Sequence, residues 1–166
     1  MKTIKKILVP NDFSVKSLLL LRNAIESSTH QRLHVVLLHG ILLSDSITEL
    51  LFFRKEKYME ELCTKDFEDA CELLKNKFQS RIVSLRLDII TSRDRNYFQH
   101  YLEANEIDEV YLPQNFELEF FGKRSFDIVP LLRTCTITPI PVRLFVRSEI
   151  DLTPAGRIPP FFRPGF

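Results

Sequence analysis

Ile7-Leu8-Val9-Pro10-Asn11-Asp12-Phe13-Ser14 is a short apolar run that ends in a Pro-Asn-Asp turn, after which Ser14 opens an amphipathic segment. An apolar run without alternation is covered on both sides, as in the middle of a parallel sheet. A first strand that enters a first helix through such a turn places the turn at the ligand-binding edge of an open α/β sheet. Ser14 stands where a helix N-cap belongs, its hydroxyl able to accept from a free amide of the first turn. The stretch therefore sets a fold class and the location of a site before any ligand is considered.

The same alternation of strand and helix continues along the chain. Val15, Leu18, Leu19 and Ile25 mark a helix to about Ser28, and the unusually apolar run Leu18 to Leu21 predicts deep burial. Leu33 to His39 is a second strand apolar on both faces. Between Gly40 and Arg54, the runs Ile41-Leu42-Leu43 and Leu50-Leu51-Phe52-Phe53 flank a polar segment, and the second run either starts a helix or packs as a loop. Lys55 to Gln79 reads as one long helix, because Met59, Cys63, Phe67, Ala70, Leu74 and Phe78 recur at three- and four-residue steps. In Arg81 to Ile90, Val83, Leu85, Leu87 and Ile89 alternate with Ser84, Arg86 and Asp88. One face of this third strand is then wet, which suits a sheet edge.

Asp94 to Ala104 is a short helix and Ile107 to Leu112 a fourth strand, ended by Pro113. Ser125 or Asp127 caps a last helix to about Thr134, which tolerates Pro130 only in its first turn. Pro141 to Arg147 is a fifth strand. Five strands alternating with helices predict an α/β fold: a three-layer, Rossmann-like open parallel sheet in the order 3-2-1-4-5, with helices on both faces. The switch point lies between strands one and four, so a site is built from Pro10 to Ser14 and Pro113 to Ser125. This domain spans residues 1–147. Residues 148–166 form a Pro/Phe-rich tail without regular structure, carrying Pro154, Pro159, Pro160 and Pro164 beside Phe161, Phe162 and Phe166. The tail either drapes over the surface or meets a protein partner.

Bulk properties exclude several classes. The 166 residues, 45% hydrophobic and 27% charged, are enough for one soluble globular domain with a proper core. A net charge of +1 without a basic run argues against nucleic-acid binding. No stretch approaches the roughly 20 apolar residues of a membrane span, and Pro10, Asn11 and Asp12 cut the first apolar run too short for a signal peptide. These features predict a cytoplasmic protein. Three cysteines fit reduced, inert thiols. Cys63 and Cys71, about 12 Å apart on one predicted helix, are too distant to bridge. His34 and His39, five apart on one strand, face opposite ways and form no metal pair. No metal-binding spacing, Gly-x-Ser-x-Gly elbow or phosphate-binding lysine motif occurs. Asp12 and Ser125 can meet at the switch point, but no catalytic set is assigned to them, and the chain reads as a non-enzyme.

Ile7 to Ser14 resembles the opening Ile-Leu-Val-Pro-Thr-Asp-Phe-Ser of the universal stress protein family. Leu33-His34-Val35-Val36-Leu37-Leu38-His39 resembles its second strand, Ile107-Asp108-Glu109-Val110-Tyr111-Leu112 its fourth, and Thr138-Pro139-Ile140-Pro141-Val142 its entry to the fifth. The resemblance covers about residues 4 to 147 and implies a regulatory or stress-response protein. In ATP-binding members the fourth strand is followed by Gly-x2-Gly-x9-Gly-Ser/Thr, whose glycines let backbone amides approach the phosphates. This chain has Gln114 at the first glycine position, Gly122 as the loop's one glycine, and Arg124-Ser125 at the Gly-Ser position. Glu117 and Glu119 oppose a polyphosphate, and at His39-Gly40 the apolar residue expected against adenine is missing.

Two functional readings follow from the resemblance. In the first, the protein binds no cofactor and acts through association. Family dimerisation through the fifth strand maps onto Val142, Arg143, Leu144, Phe145 and Val146, an edge that is apolar apart from Arg143. In the second, ATP or another adenosine nucleotide binds at Pro10, Asn11, Asp12, Gln114, Asn115 and Ser125, and the protein is a nucleotide-dependent switch.

Overall fold

The computed structural model describes residues 4–120 and 122–144. The tail at 148–166 lies outside the described residues, as do Phe121, Phe145 and Val146. The chain runs β1 (Ile4–Pro10), α1 (Val15–Ser27), β2 (Arg32–Ile41), α2 (Ile47–Leu51), α3 (Lys55–Leu62), α4 (Lys65–Lys77), β3 (Ile82–Ile90), α5 (Arg95–Ala104), β4 (Glu109–Pro113), β5 (Ser125–Phe126), α6 (Val129–Thr134) and β6 (Ile140–Val142).

β1 pairs in parallel with β2 and β4, and β2 and β4 pair in parallel with β3 and β6. The sheet order is β3-β2-β1-β4-β6, with the two-residue β5 antiparallel to the end of β2. This is the expected five-stranded order with one short strand added, but the last strand, expected over Pro141 to Arg147, runs from Ile140 to Val142 and leaves Arg143 and Leu144 outside it. Strand periodicity divides the doubly apolar runs between two cores. Ile7, Val9, Val35 and Leu37 face α1 and α4, meeting Leu18, Leu21, Phe67 and Leu74. Leu8, Val36, Leu38 and Val110 face α5 and α6, meeting Phe98, Leu102 and Leu132. The apolar run in α1 is buried throughout, Leu18 to Leu21 all at 3% exposure or less.

Four further expectations are corrected. The long helix is two helices: Cys63 leaves the α3 geometry, and the Thr64 hydroxyl accepts from Phe67 N–H (3.2 Å) to cap α4. Cys63 and Cys71 are therefore not on one helix. Both are free thiols, pushed up by burial to about 11 and about 12. Secondly, β3 is an edge strand, yet Asp88 on its polar face is only 7% exposed. Lys55 from α3 and Tyr101 from α5 close over its carboxylate at 2.7 and 2.6 Å.

Thirdly, Ser125 does not cap α6. It belongs to β5, the N-cap is Ile128 with no side-chain cap bond, and Asp127 before it accepts from Val129 N–H (2.9 Å) in a turn, with Pro130 in the first turn of the helix. Lastly, Ser14 occupies the N-cap of α1, but its hydroxyl donates to Asp12 Oδ1 and so caps no helix amide. The open segment after β2 contains α2, whose Ile47 and Leu51 are 75% exposed.

The outer edge at β6 is better protected than its sequence indicates. Val142 C=O accepts from Gln114 N–H on the β4 side, so Pro141 and Arg143 turn their backbone outward. Pro141 has no N–H to offer, and Asn23 Nδ2 donates to the Arg143 carbonyl (3.1 Å). Among the described residues no helix is long and apolar enough to cross a membrane.

Candidate functional site

The carboxyl ends of β1 and β2 meet at the turn that opens the domain. Asn11 N–H donates to the Leu38 carbonyl (2.8 Å), extending the β1–β2 ladder by one bond. Two side-chain turns then shape the chain. Asn11 Oδ1 accepts from Phe13 N–H and Asp12 Oδ1 accepts from Ser14 N–H, both at 2.9 Å. Between them Phe13 is held at φ 60°, the left-handed region that a bulky side chain rarely adopts. The Ser17 hydroxyl reaches back to Asn11 Oδ1 (2.9 Å), tying the turn to the first coil of α1. Asn11 is wholly buried, and its Nδ2 has no partner among the described residues.

His39, near the end of β2, stands over this turn. Its Nδ1 lies 2.7 Å from the Asn11 carbonyl and its Nε2 lies 2.7 Å from Ser125 Oγ. A carbonyl only accepts, so Nδ1 carries the proton and, in the neutral ring, Nε2 is left to accept from the Ser125 hydroxyl. Burial lowers the imidazole below its ordinary 6.5, against the Asn11 carbonyl bond and the Asp12 charge, which both favour the cation. Phe13 meets the ring edge-on with centroids 5.0 Å apart, and Phe120 lies against it at 5.5 Å. Phe67 of α4 backs Phe13 at 5.3 Å.

β5 brings Ser125 here from a distant part of the sequence. It pairs with Gly40 and Ile41, and Gly40 is required for the approach, because a Cβ there comes within 2.6 Å of the Phe126 ring. The segment between β4 and β5 also closes on the turn, as Glu119 N–H donates to Asp12 Oδ2 (2.9 Å).

The sequence-predicted residues divide into two groups. Pro10, Asn11, Asp12 and Ser125 converge at the ends of β1 and β2. Gln114 and Asn115 are tied to the β6 side instead. Gln114 N–H donates to Val142 C=O, and the Asn115 amide both accepts from Leu144 N–H (2.8 Å) and donates to its carbonyl (3.1 Å). Phe13 and Phe120 lie within the two stretches expected to build the site but were given no role there, and His39 was not assigned to it. The one signal was negative: a histidine where an apolar residue was expected. Among the described residues no group of three or more His, Cys, Asp or Glu side chains is placed to hold a metal.

No family model and no curated protein matches the sequence. Solved structures do match in shape. The hypothetical protein PH0823 aligns over 87% of this chain and 99% of its own, at 19% identity and a TM-score of 0.52. The hypothetical protein MJ0577 aligns over 87% and 98%, at 18% identity and 0.51. A protein of the universal stress protein family from Burkholderia pseudomallei aligns over 86% and 99%, at 17% identity and 0.49. The first two matches show that the chain has the fold of these structures across almost their whole length.

Proposed function

We propose that the chain is a regulatory member of the universal stress protein family that acts through association and holds no nucleoside triphosphate. The four motifs in their order and the shared fold support the family. One observation carries the rest: the nucleotide edge of the sheet is occupied by the protein's own groups. Asp12 spends one carboxylate oxygen on Ser14 and the other on Glu119 N–H, while Phe13, His39 and Phe120 pack together beside it. A phosphate cradle needs free amides and little side-chain bulk, but here the Glu119 amide is engaged by Asp12 and Phe120 adds an aromatic ring beside His39.

The proposed partner is a second copy, joined beside β6. A groove of about 520 Å³ runs there, lined by Asn23, Glu26, Ser27, Gln114, Pro141, Val142 and Arg143. Glu26 and Arg143 are both exposed on it, and in a two-fold interface each meets the other of the partner copy. Self-complementary charge of this kind sets register where the Pro141 edge discourages strand pairing.

A second reading rests on Asn11 Nδ2, a buried donor without a partner among the described residues. If the 114–124 segment lifts, that donor and Asp12 become available to an adenosine compound.

One preparation tests both readings. Mass analysis and absorbance of the fresh protein are expected to show no nucleotide, and sedimentation a dimer. Arg143→Glu is expected to give monomers, and Arg143→Glu with Glu26→Arg to restore the dimer. Co-purified adenine nucleotide overturns the first reading in favour of the second. An unchanged sedimentation profile in Arg143→Glu removes this edge from the interface.

A further inference from the structure

We propose that Ser125 is a base-activated nucleophile that accepts an acyl group from an activated ester or thioester, with His39 as its base. The idea goes beyond the family reading and rests on different atoms. A serine hydroxyl becomes nucleophilic when a base lies within hydrogen-bond reach and a third group orients that base. Both distances here are 2.7 Å: Ser125 Oγ to His39 Nε2, and His39 Nδ1 to the Asn11 carbonyl. The orienting group is itself fixed, because Asn11 donates its N–H to Leu38 and accepts from Phe13 and Ser17. Phe13 and Phe120 both pack against the imidazole, which limits its rotation away from Ser125.

Exposure is divided in the way the chemistry needs. His39 is 2% exposed, while Ser125 is only half-buried and meets solvent. Gly122 keeps the hydroxyl clear, since a Cβ at that position stands 2.5 Å from Ser125 Oγ. The aromatic walls favour an uncharged acyl group. In the step itself, Ser125 Oγ forms a bond to the acyl carbonyl carbon and the bond from that carbon to the leaving oxygen or sulfur breaks. The serine proton passes to His39 Nε2 and then to the departing alcohol or thiol, with no oxidation or reduction. A hydroxyl that serves only to anchor β5 to the sheet undergoes no such reaction.

The test uses the full chain and an alkyl fluorophosphonate. Ser125 forms the P–O bond, fluoride leaves, and His39 takes the proton. Peptide mass analysis is expected to place the adduct on Ser125, and Ser125→Ala to abolish it. His39→Gln, checked for folding by its thermal melt, is expected to label roughly a hundredfold more slowly. The charged group facing the His39 ring is Asp12 of the β1–α1 turn; β5 presents Ser125 and the covering segment Phe120. The wild-type labelling rate needs no variant: it is expected to hold through neutrality and to fall only on the acid side of an ordinary imidazole's 6.5, because burial holds His39 below that value. Absence of an adduct on Ser125 overturns the proposal. So does labelling at an equal rate in folded His39→Gln, or a rate that rises as pH falls below about 6.5. Adduct formation is independent of nucleotide content and of the sedimentation profile, so this result and those above fail separately.

Discussion

Glu119 N–H donates to Asp12 Oδ2 at 2.9 Å, joining residues 107 positions apart and pulling the segment after β4 onto the turn after β1. The same carboxylate accepts from Ser14, so one side chain shapes the turn and holds its cover. A hydrogen bond to a charged group contributes about 1.5–3 kcal/mol. Asp12→Ala removes both acceptor oxygens and so breaks both bonds. The expected result is faster hydrogen exchange at the Glu119 amide with the sheet amides of Val35 to Leu37 unchanged. Unchanged protection at Glu119 shows instead that the Phe120–His39 contact is what holds the segment.

Gly40 admits β5 to the sheet. An added Cβ meets Phe126 Cζ at 2.6 Å and Ile128 Cγ2 at 2.8 Å, and both belong to a close-packed core. Gly40→Ala is expected to cost about 1–3 kcal/mol in denaturant unfolding, the range for overpacking. Gly40→Ala with Phe126→Leu is expected to recover part of that loss. Failure to recover points to Ile128 as the obstructing group.

These two contacts mark where sequence reading stopped. The β1–α1 turn, the strand order and the two-sided core were legible because each depends on local pattern: Ile7 to Val9 and Val35 to Leu38 are apolar without a break, and Val83 to Asp88 alternates. Half of the site was legible for the same reason, since Asn11 and Asp12 sit at a strand end. Ser125 was also placed at the switch point, but its contact with His39 was not legible. His39 joins Ser125 across 86 positions, through a two-residue strand too short to leave a periodic signature. Asp88 was misread because alternation assigns a face but does not say what covers it, and Lys55 and Tyr101 arrive from elsewhere in the chain.

The break between α3 and α4 did leave a local signal. Thr64 precedes Asp66 and Glu68, acidic residues in the first turn of α4, and its Oγ1 accepts from Phe67 N–H. The period of the apolar residues continues through the break and concealed it. Thr64→Ala is expected to lower stability by about 0.5–2 kcal/mol, and Thr64→Asp to leave it equal or higher. A melting temperature unchanged in Thr64→Ala assigns the break to packing of Phe67 instead of the cap.

Asp88 links three elements at the β3 edge, and its protonation sets an acid limit on the fold. Burial opposes its charge, but Lys55 Nζ (2.7 Å), the Tyr101 hydroxyl (2.6 Å) and Ile89 N–H (2.9 Å) prevail, and the carboxyl is held below its ordinary range. A carboxyl depressed in the folded state adds stability that is complete above its unfolded value, about 3.9, and is lost as pH falls through the folded value. Stability is therefore expected to drop below about pH 4, and Asp88→Asn to flatten that drop while lowering stability at neutral pH. Tyr101→Phe removes one donor from a buried carboxylate and is expected to cost about 1–3 kcal/mol at pH 7. Its effect should vanish in an Asp88→Ala background, which has no side-chain acceptor, if the hydroxyl acts through the carboxylate. Equal losses in both backgrounds, measured by urea unfolding, assign the tyrosine a packing role against Phe98.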